Sequence, residues 1–410
     1  MVLHRATRRL LRSAAKALPR QQVRQLSIHE YQSHKLLSEF GAPVPKGRLV
    51  RTPDEARSAV SDLGPCFIKA QVLDGGRAGG VFDNGVQGGV RAVRDPEEAA
   101  ALASQMLGQR LRTRRSPKEG HAVNELYVAE TVPFDAEWYL AMTIDRSNYA
   151  PAIIISKKGG RDIDVIAQEH PESIHTHHPG SCFRHFIKGR PLGGRDGSLA
   201  PILSSMYQIF SQKDGTLLEV NPLAHSPDGS FTCLDATFTF DNSAVHRQRD
   251  MFALRDRSQE IADELEAERH GLLYVKMDGD IGNVVNGAGL AMATNDAIGF
   301  HGGANSNFLD AGGKATKETM QQAFGIITRD PRVKAILVNI YGGLTRCDMI
   351  AESIIGASKE LDIRVPMVVR LQGTNSAEGL RLLAEANLGL HVESDFGRAA
   401  QRVVELAKAA

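Results

Sequence analysis

The sequence contains few cysteines and no excess of charge of either sign. No two of its cysteines form a Cys-x-x-Cys pair, and they stand at Cys66, Cys182, Cys233 and Cys347. This scatter argues against a structural zinc site and is typical of proteins from a reducing compartment. The 49 lysine and arginine residues balance 48 aspartate and glutamate residues and leave a formal charge of +1. Nucleic acid is therefore not an expected partner.

Long hydrophobic runs are also lacking, so we expect no membrane span. Of the 410 residues, 42% are hydrophobic and 24% are charged, as in an ordinary globular protein. The length exceeds what one hydrophobic core usually organises, which predicts two or three domains.

Acidic residues are missing from the first 29 positions, where basic residues recur at helical spacing. Apolar residues occupy another face of the same helix. This pattern predicts a mitochondrial transit peptide over residues 1–26 and a location in the mitochondrial matrix. A basic arm that binds nucleic acid is the alternative, and the interleaved apolar face makes it the weaker interpretation.

Two short apolar segments, 217–223 and 231–236, flank the turn residues Asp228-Gly229. They predict two strands that pair as an antiparallel hairpin. Such a hairpin brings Asn221 close to Asp235 and offers two oxygen ligands to Mg2+, which keeps water and shares phosphate oxygens. The alternative is an ordinary turn at Asn221-Pro222 with Asp235 as a cap.

A lysine, Lys69, stands inside the buried-looking strand 66–72. A lysine in such a strand must either reach solvent or meet an anion. The loop that follows, Gly75 to Gly80, is rich in glycine and lets backbone amides approach a phosphate. Strand and loop together indicate a site for nucleotide phosphates.

The arrangement of predicted elements changes along the chain and gives domains at 27–260 and 261–410. The first domain has successive strands without long helices between them, which favours an α+β fold. The second alternates strands and helices, which predicts a doubly wound parallel sheet. Gly342 to Thr345 precede a helix whose N-terminus suits a carboxylate, although a plain tight turn is an equal interpretation. The expected strands of the second domain are 272–277, 307–310, 333–339, 365–371 and 391–393.

Seven stretches of the sequence, taken in order, resemble the β subunits of succinyl-CoA synthetase (succinate-CoA ligase). They are 26–32, 68–72, 82–85, 219–223, 285–292, 307–310 and 365–371. The resemblance implies an ATP-grasp domain followed by a flavodoxin-like CoA-ligase domain. It also implies an α-subunit partner that carries a phosphorylated histidine. With that partner, succinate, CoA and ATP or GTP would form succinyl-CoA reversibly, as in the citric acid cycle.

The resemblance further implies roles for individual residues. Those expected at the nucleotide are Lys69, Gly75, Gly76, Arg77 and Ala78 at the phosphates, Glu130 at the base and Glu137 at the ribose. Asn221 and Asp235 are expected to hold Mg2+, and Glu219 to contact the phosphohistidine. Those expected at the succinate carboxylate are Asn286, Gly343, Leu344 and Thr345.

Several positions depart from the pattern that the family usually shows. Ala78 and Gly79 replace a glycine and a lysine, Thr237 replaces a frequent lysine, and Leu344-Thr345 replaces Ile-Val. Lys314 interrupts a run of glycines, and the segment 174–206 is shorter than usual. These departures leave two alternatives open. One is a non-catalytic or weakly active paralogue that still pairs with the α subunit. The other is a ligase for a related acid such as malate, because Thr345 adds a hydroxyl group.

Overall fold

The structure is a computed structural model that describes residues 25–160, 163–179, 199–313, 315–361 and 363–410. Residues 1–24 of the expected transit segment, most of the shortened segment, Cys182 and Lys314 lie outside the described residues. The described chain forms two compact units, one ending at Gln259 and the other beginning at Glu260. None of the helices in these ranges is long and apolar enough to cross a membrane.

The first unit is built from antiparallel sheets. Its strands are β1 (Gln25–Ile28), β2 (Gly47–Val50), β3 (Cys66–Ala70), β4 (Val81–Phe82), β5 (Val90–Val93), β6 (Arg110–Arg112), β7 (His121–Ala122), β8 (Leu126–Glu130), β9 (Ala136–Asp145), β10 (Ala150–Ser156), β11 (Ile174–His177), β12 (Gly215–His225), β13 (Phe231–Cys233) and β14 (Ala236–Asp241). Its helices are α1 (Glu30–Glu39), α2 (Pro53–Leu63), α3 (Pro96–Met106), α4 (Ile163–Glu169), α5 (Ala200–Gln212) and α6 (Arg249–Phe252).

Two of these sheets position the residues discussed below. The large sheet has the order β1-β14-β12-β9-β10-β11, with β13 also paired to β12. The Lys69 sheet has the order β2-β8-β3-β5. Because Gln25 and Leu26 belong to β1, and Leu26 is buried in the core, the fold begins no later than Gln25, two residues before the expected start at residue 27.

Local sequence signals explain where several helices begin. Thr52 accepts a hydrogen bond from the Glu55 amide and Asp95 accepts from the Glu97 and Glu98 amides, each followed by proline at the first helical position. The sequence predicts that Ser27 caps the first helix and that the helix beginning at Pro96 runs to Leu111, and both expectations were wrong. Helix α3 stops at Met106, because the following residues pair as β6. Helix α1 begins at Glu30, because Ser27, the expected cap, lies in β1.

The second unit is a mostly parallel sheet covered by helices. Its strands are β15 (Leu273–Lys276), β16 (Ile281–Val285), β17 (Asn307–Asp310), β18 (Ala335–Gly342), β19 (Met367–Gly373) and β20 (His391–Val392), and its helices are α7 (Ala262–Arg269), α8 (Ala288–Phe300), α9 (Lys317–Thr328), α10 (Cys347–Glu360), α11 (Ser376–Ala386) and α12 (Phe396–Ala409). The order is β15-β17-β16-β18-β19-β20, and β15 alone among these described strands runs antiparallel to its neighbour.

Strand β16 was not predicted from the sequence, where its residues were assigned to a glycine-rich connection. It is buried along its whole length and therefore shows no alternation of polar and apolar residues. Gly282 fits because Ile327 of α9 packs against the site where a Cβ would lie. Because β16 was missed, β15 was taken as the first strand of the parallel series. It is an antiparallel edge strand.

Candidate functional site

The hairpin predicted around Asn221 and Asp235 is confirmed. Residues 219↔237, 220↔236 and 223↔233 pair across β12, β14 and β13, so Asn221 lies directly opposite Asp235. The backbone amide of Asn221 donates to the backbone carbonyl oxygen of Asp235 at 3.0 Å. Side chains opposite each other in an antiparallel pair project from the same face. The sequence therefore brings an amide oxygen and a carboxylate to one place on the large sheet.

Asp235 is engaged by an arginine from the glycine-rich loop. Its Oδ2 atom lies 2.6 Å from Arg77 Nη2, and Arg77 Nη1 donates to the Ala70 carbonyl oxygen at 3.0 Å. Arg77 is only 8% exposed, so its side chain is buried although its loop is rich in glycine. Burial raises the pKa of the Asp235 carboxyl, and the neighbouring Arg77 opposes that shift. An ion pair thus stands where a metal ligand was expected.

The same arginine shares a second carboxylate with Lys69. Glu30, the first residue of α1, places Oε1 at 2.6 Å from Lys69 Nζ and Oε2 at 2.8 Å from Arg77 Nη2. Burial raises the pKa of Glu30, but the charges of Lys69 and Arg77 outweigh it and lower that pKa to about 2. We call Glu30, Lys69, Arg77 and Asp235 the ion cluster. Its two carboxylates balance its two cations.

Lys69 also connects the two sheets. Its Nζ donates to the Leu234 carbonyl oxygen at 2.7 Å, next to Asp235 in the hairpin. The strand lysine therefore meets an anion, one of the two outcomes that its sequence context allowed. The identity of that anion, Glu30, was missed. The sequence signal was only that Lys69 has no acidic residue near it in its own strand. Its partner lies 39 positions upstream, and only the tertiary fold brings the two together.

The glycine-rich loop folds back on itself. Gly76 has a left-handed φ of +82° and precedes a short 3-10 turn over Arg77–Gly79. The Gly79 amide donates to the Gly76 carbonyl oxygen at 3.2 Å, and the Gly80 amide donates to the Arg77 carbonyl oxygen at 3.0 Å. These two amides are used within the loop. Ala78 forms the centre of the turn, and Gly75 precedes it.

Glu137 and Asn221 are brought together by the loop that follows β10. The Gly160 amide donates to Asn221 Oδ1 at 2.7 Å, and the Gly159 amide donates to the Glu137 carbonyl oxygen at 2.8 Å. Gly160 has φ +72°, and a Cβ there would overlap Glu137 Oε2. Sequence reasoning gave Gly160 no role, although it lies beside both Glu137, which was expected at the ribose, and Asn221, which was expected to bind the metal.

Glu130 lies at the end of β8, in the Lys69 sheet. Its Oε1 accepts from the Lys46 amide at 2.8 Å, and its own amide donates to the Lys46 carbonyl oxygen at 2.9 Å. Glu130 is therefore bound to the chain that enters β2. The described contacts tie it to neither Glu137 nor the ion cluster.

Glu219 lies on the same face of the large sheet as Asn221. It pairs with Thr237 on β14 and with Ala141 on β9. Leu218 and Val220 project to the opposite face and are fully buried in the main core of the unit. The strand alternation thus gives β12 one apolar face and one face that carries Glu219 and Asn221.

In the second unit, two of the loops expected near a carboxylate are fixed by side chains. Asn286 accepts from the Tyr341 amide at 2.8 Å and donates to the Tyr341 carbonyl oxygen at 2.9 Å. Asp310 Oδ1 accepts from the amides of Gly287 at 2.6 Å and Gly312 at 2.7 Å. Asp310 was part of a quoted motif but received no role from the sequence. It joins the loops after β16 and β17 at the carboxyl edge of the sheet.

The segment after β18 is divided between exposed and buried residues. Leu344 is 85% exposed, whereas Thr345 is 2% exposed and its hydroxyl has no hydrogen-bond partner among the described residues. Gly343 precedes them, in the turn that leads to α10. A cavity of about 300 Å3 opens beside Leu344, and its lining also includes Arg346, Asp348, Met349 and Glu352.

Comparison with known proteins identifies the family. Residues 27–225 match the family model for the ATP-grasp domain, and residues 284–404 match that for CoA-ligase. The chain is 42% identical over 408 residues to the mitochondrial β subunit of ADP-forming succinate-CoA ligase from Neurospora crassa, covering 97% of this chain and 91% of that protein. The chain belongs to the family of succinate-CoA ligase β subunits. The family expected from the sequence motifs is thereby confirmed.

Two further family members and one solved structure extend this finding. The Paracoccus denitrificans β subunit is 44% identical over 396 residues, covering 93% of this chain and all of that protein (100%). The mitochondrial β subunit from Solanum lycopersicum is 42% identical over 407 residues, covering 96% and 97%. The structure of ATP citrate lyase from Methanothrix soehngenii with citrate and coenzyme A has a TM-score of 0.66 at 17% identity, covering 94% of this chain and 100% of that chain. The fold is an ATP-grasp domain followed by a CoA-ligase domain.

Proposed function

We propose that this chain is the catalytic β subunit of a succinate-CoA ligase. With an α subunit it converts succinate, CoA and a nucleoside triphosphate reversibly into succinyl-CoA, nucleoside diphosphate and phosphate. The observation that carries this proposal is the similarity, 42–44% over 93–97% of the chain, to proteins named as β subunits of that enzyme. Those relatives are named as ADP-forming, which favours ATP over GTP as the substrate.

The nucleotide is proposed to bind in the first unit. Phosphoryl transfer depends on positioned charge more than on a protein nucleophile. Lys69 and Arg77 supply two cations beside the hairpin, and we assign them to the phosphates together with the backbone of Gly75, Gly76 and Ala78. Glu130 is assigned to the base and Glu137 to the ribose. The support for Glu137 is its position beside Gly160, which also binds Asn221.

Asn221 and Asp235 are the proposed ligands of Mg2+. The described residues contain no group of three or more His, Cys, Asp or Glu side chains that could hold a metal ion, so phosphate oxygens and water must complete the coordination. One amide and one carboxylate oxygen on facing residues fit that requirement. Held by these two residues, Mg2+ would supply positive charge that offsets the negative charge of the phosphates.

Glu219 is the proposed contact of the α-subunit phosphohistidine. Its carboxylate lies two residues from Asn221 on the same face of β12, so a group that reaches the transferred phosphoryl at Asn221 and Asp235 also reaches Glu219. A carboxylate there can accept a hydrogen bond from an imidazole N–H and orient the ring. Orientation of the nucleophile is the contribution that this chemistry requires.

The succinate carboxylate is assigned to Asn286, Gly343, Leu344 and Thr345 in the second unit. The turn precedes α10, a helix of 14 residues, and the positive end of a helix dipole favours a carboxylate. We also propose that this unit is flavodoxin-like. With the antiparallel edge strand β15 set aside, β16 to β20 follow the order 2-1-3-4-5, which is the flavodoxin order.

We propose that residues 1 to about 24 direct the chain to the mitochondrial matrix and are removed. Their lack of acidic residues and the mitochondrial names of two relatives support this. We place the boundary between the two domains near residue 260, where the two compact units divide.

A second candidate substrate, malate, is favoured by one observation. The Thr345 hydroxyl is buried without a partner among the described residues, and an unmet hydroxyl can bind the hydroxyl of a substituted succinate. The non-catalytic alternative has less support, because Lys69, Asn221 and Asp235 are all present.

Acyl-CoA formation separates these candidates. The full chain should be co-expressed with an α subunit, and the purified complex assayed with ATP, Mg2+ and CoA. Succinate is expected to give acyl-CoA with a higher kcat/KM than malate. Turnover of malate alone would replace the proposed substrate, and a stable complex without turnover of either acid would favour the non-catalytic paralogue. Thr345→Val should lower malate turnover more than succinate turnover if the hydroxyl binds the hydroxyl of malate.

A further inference from the structure

Glu30 is the one member of the ion cluster without a role in the proposed function. It lies at the N-terminus of α1, where the helix dipole stabilises a carboxylate. Its side chain is 2% exposed, and it reaches Lys69 from the Lys69 sheet as well as Arg77 from the glycine-rich loop. A buried carboxylate that holds two cations from separate elements fixes their relative position.

The two carboxylates of the ion cluster differ in exposure. The Asp235 side chain is 27% exposed, against 2% for Glu30, and both contact the same nitrogen, Arg77 Nη2. Asp235 is therefore the partner that an incoming ligand can reach, while Glu30 is closed off. If Asp235 leaves Arg77, the guanidinium keeps Glu30 at 2.8 Å and the Ala70 carbonyl oxygen at 3.0 Å.

We infer that Glu30 is a positioning residue for nucleotide binding, which holds Lys69 and Arg77 in place while Asp235 exchanges Arg77 for the metal and Arg77 exchanges Asp235 for the phosphates. The inference rests on the proposed function. Arg77 then contacts first Asp235 and afterwards the phosphates, and it contacts Glu30 throughout. Without Glu30, the cluster has two buried cations and one carboxylate, and that carboxylate is needed by the metal.

The test uses the full chain in complex with its α subunit and measures the Kd of Mg-ADP by calorimetry. Glu30→Gln keeps the shape and removes the charge, and we expect it to weaken binding roughly tenfold or more. Lys69→Met should also weaken binding. The double variant Glu30→Gln/Lys69→Met restores the balance of charge, so its loss should be smaller than the product of the two single losses. If Glu30→Gln alone folds poorly, the charge-balanced double variant is compared with Lys69→Met, and equal Kd values of Mg-ADP for those two variants would also overturn the inference.

A matched control separates positioning from stability. Asp330 of the second unit is a carboxylate with 3% exposure that pairs with Arg332. Asp330→Asn therefore removes a similar buried charge, and it should lower Tm while leaving the Kd of Mg-ADP unchanged. A Glu30→Gln complex with lower Tm and an unchanged Kd would overturn this inference and leave the proposed function intact. Lack of Mg-ADP binding by the unsubstituted complex would overturn both.

Discussion

Asn221 lies directly opposite Asp235 in the hairpin of the first unit, with a hydrogen bond of 3.0 Å between the Asn221 amide and the Asp235 carbonyl oxygen. This backbone pairing sets the side-chain amide of Asn221 next to the side-chain carboxylate of Asp235. Arg77 approaches the carboxylate, and Gly160 approaches the amide oxygen. The hairpin thus collects residues from a glycine-rich loop and from the loop after β10 at one place.

Gly160 should not tolerate a side chain. Its φ of +72° is strained for alanine, and a Cβ would overlap Glu137 Oε2. We expect Gly160→Ala to lower the free energy of unfolding of the first unit by about 1–3 kcal/mol. We also expect it to weaken ATP binding, because Glu137 must move. Trp138, the only tryptophan in the sequence, lies in the core of this unit, and its fluorescence reports the unfolding.

Gly108→Ala is the matched control for that substitution. Gly108 has a similar φ of +75° but no atom within 4 Å of the site of a Cβ. It should carry the backbone strain without the clash, so ATP affinity should stay unchanged. Equal effects of the two substitutions on ATP affinity would show that contact with Glu137 is unimportant.

The first unit should lose stability as the pH falls from 6.5 to 4. Burial lowers the pKa of His34 from 6.5 to about 4, so the folded state keeps His34 neutral in this window while the unfolded state binds a proton. Protonation therefore favours unfolding. The difference of about 2.5 pKa units corresponds to about 3 kcal/mol, since one unit is worth 1.36 kcal/mol. Unfolding by denaturant, followed by Trp138 fluorescence across this range, measures the loss.

The groups that face His34 determine the variant to use. Glu30 lies 3.9 Å from His34 Nε2 and the Tyr127 hydroxyl lies 3.4 Å from Nδ1, while Lys69 and Arg77 also act on its charge. His34→Gln should remove the pH dependence between 6.5 and 4.5. It should retain the later loss below pH 4.5, where Glu30 begins to take up a proton in the unfolded state. An unchanged slope in His34→Gln between pH 6.5 and 4.5 would contradict this assignment.

Replacement of Asp310 should weaken binding of the acid substrate and leave phosphoryl transfer from the nucleotide unchanged. Its carboxylate holds the Gly287 and Gly312 amides, and hydrogen bonds to a charged group contribute about 1.5–3 kcal/mol each. We expect Asp310→Asn to raise the KM for succinate roughly tenfold by loosening these loops. Phosphorylation of the α-subunit histidine by ATP should proceed at the normal rate. Initial rates of the full reaction and of the phosphorylation step give the two values.

Asp296→Asn provides the comparison for Asp310. Asp296 is an exposed residue of the adjacent helix α8, and its replacement should change neither value. A slower phosphorylation step in Asp310→Asn would refute the division of labour between the two units.

Local features of the fold could be predicted from the sequence. Thr52 and Asp95 are capping residues followed by proline, which predicts helices that begin at Pro53 and Pro96. Both helices do begin there, because capping acts over a few residues. The hairpin was also predicted, since a turn and two apolar segments are local signals. Strand β16 escaped prediction because a strand buried on both faces has no alternating pattern, and Gly282 and Asn283 within it are typical of loops.

The site was predicted in part for a related reason. Asn221 and Asp235 lie in one hairpin, so their proximity follows from pairing of neighbouring strands. The ion cluster joins residues that are far apart along the chain, and its arrangement depends on how two sheets face each other. The sequence indicated that Lys69 required an anion or solvent. Only the tertiary structure identifies Glu30 as that anion and shows that Arg77 is buried.

Phosphorylation of the α-subunit histidine by ATP and Mg2+ tests the central claim most directly. The complex of the full chain with its α subunit should incorporate the γ-phosphate of labelled ATP. Asp235→Asn should reduce the rate by about 100-fold or more, the size of effect seen when one preorganised electrostatic group is removed from an active site. Asp228→Asn, an exposed carboxylate in the turn of the same hairpin, should leave it unchanged. Normal phosphorylation in the Asp235→Asn complex would contradict the assignment of this hairpin as the metal and nucleotide site.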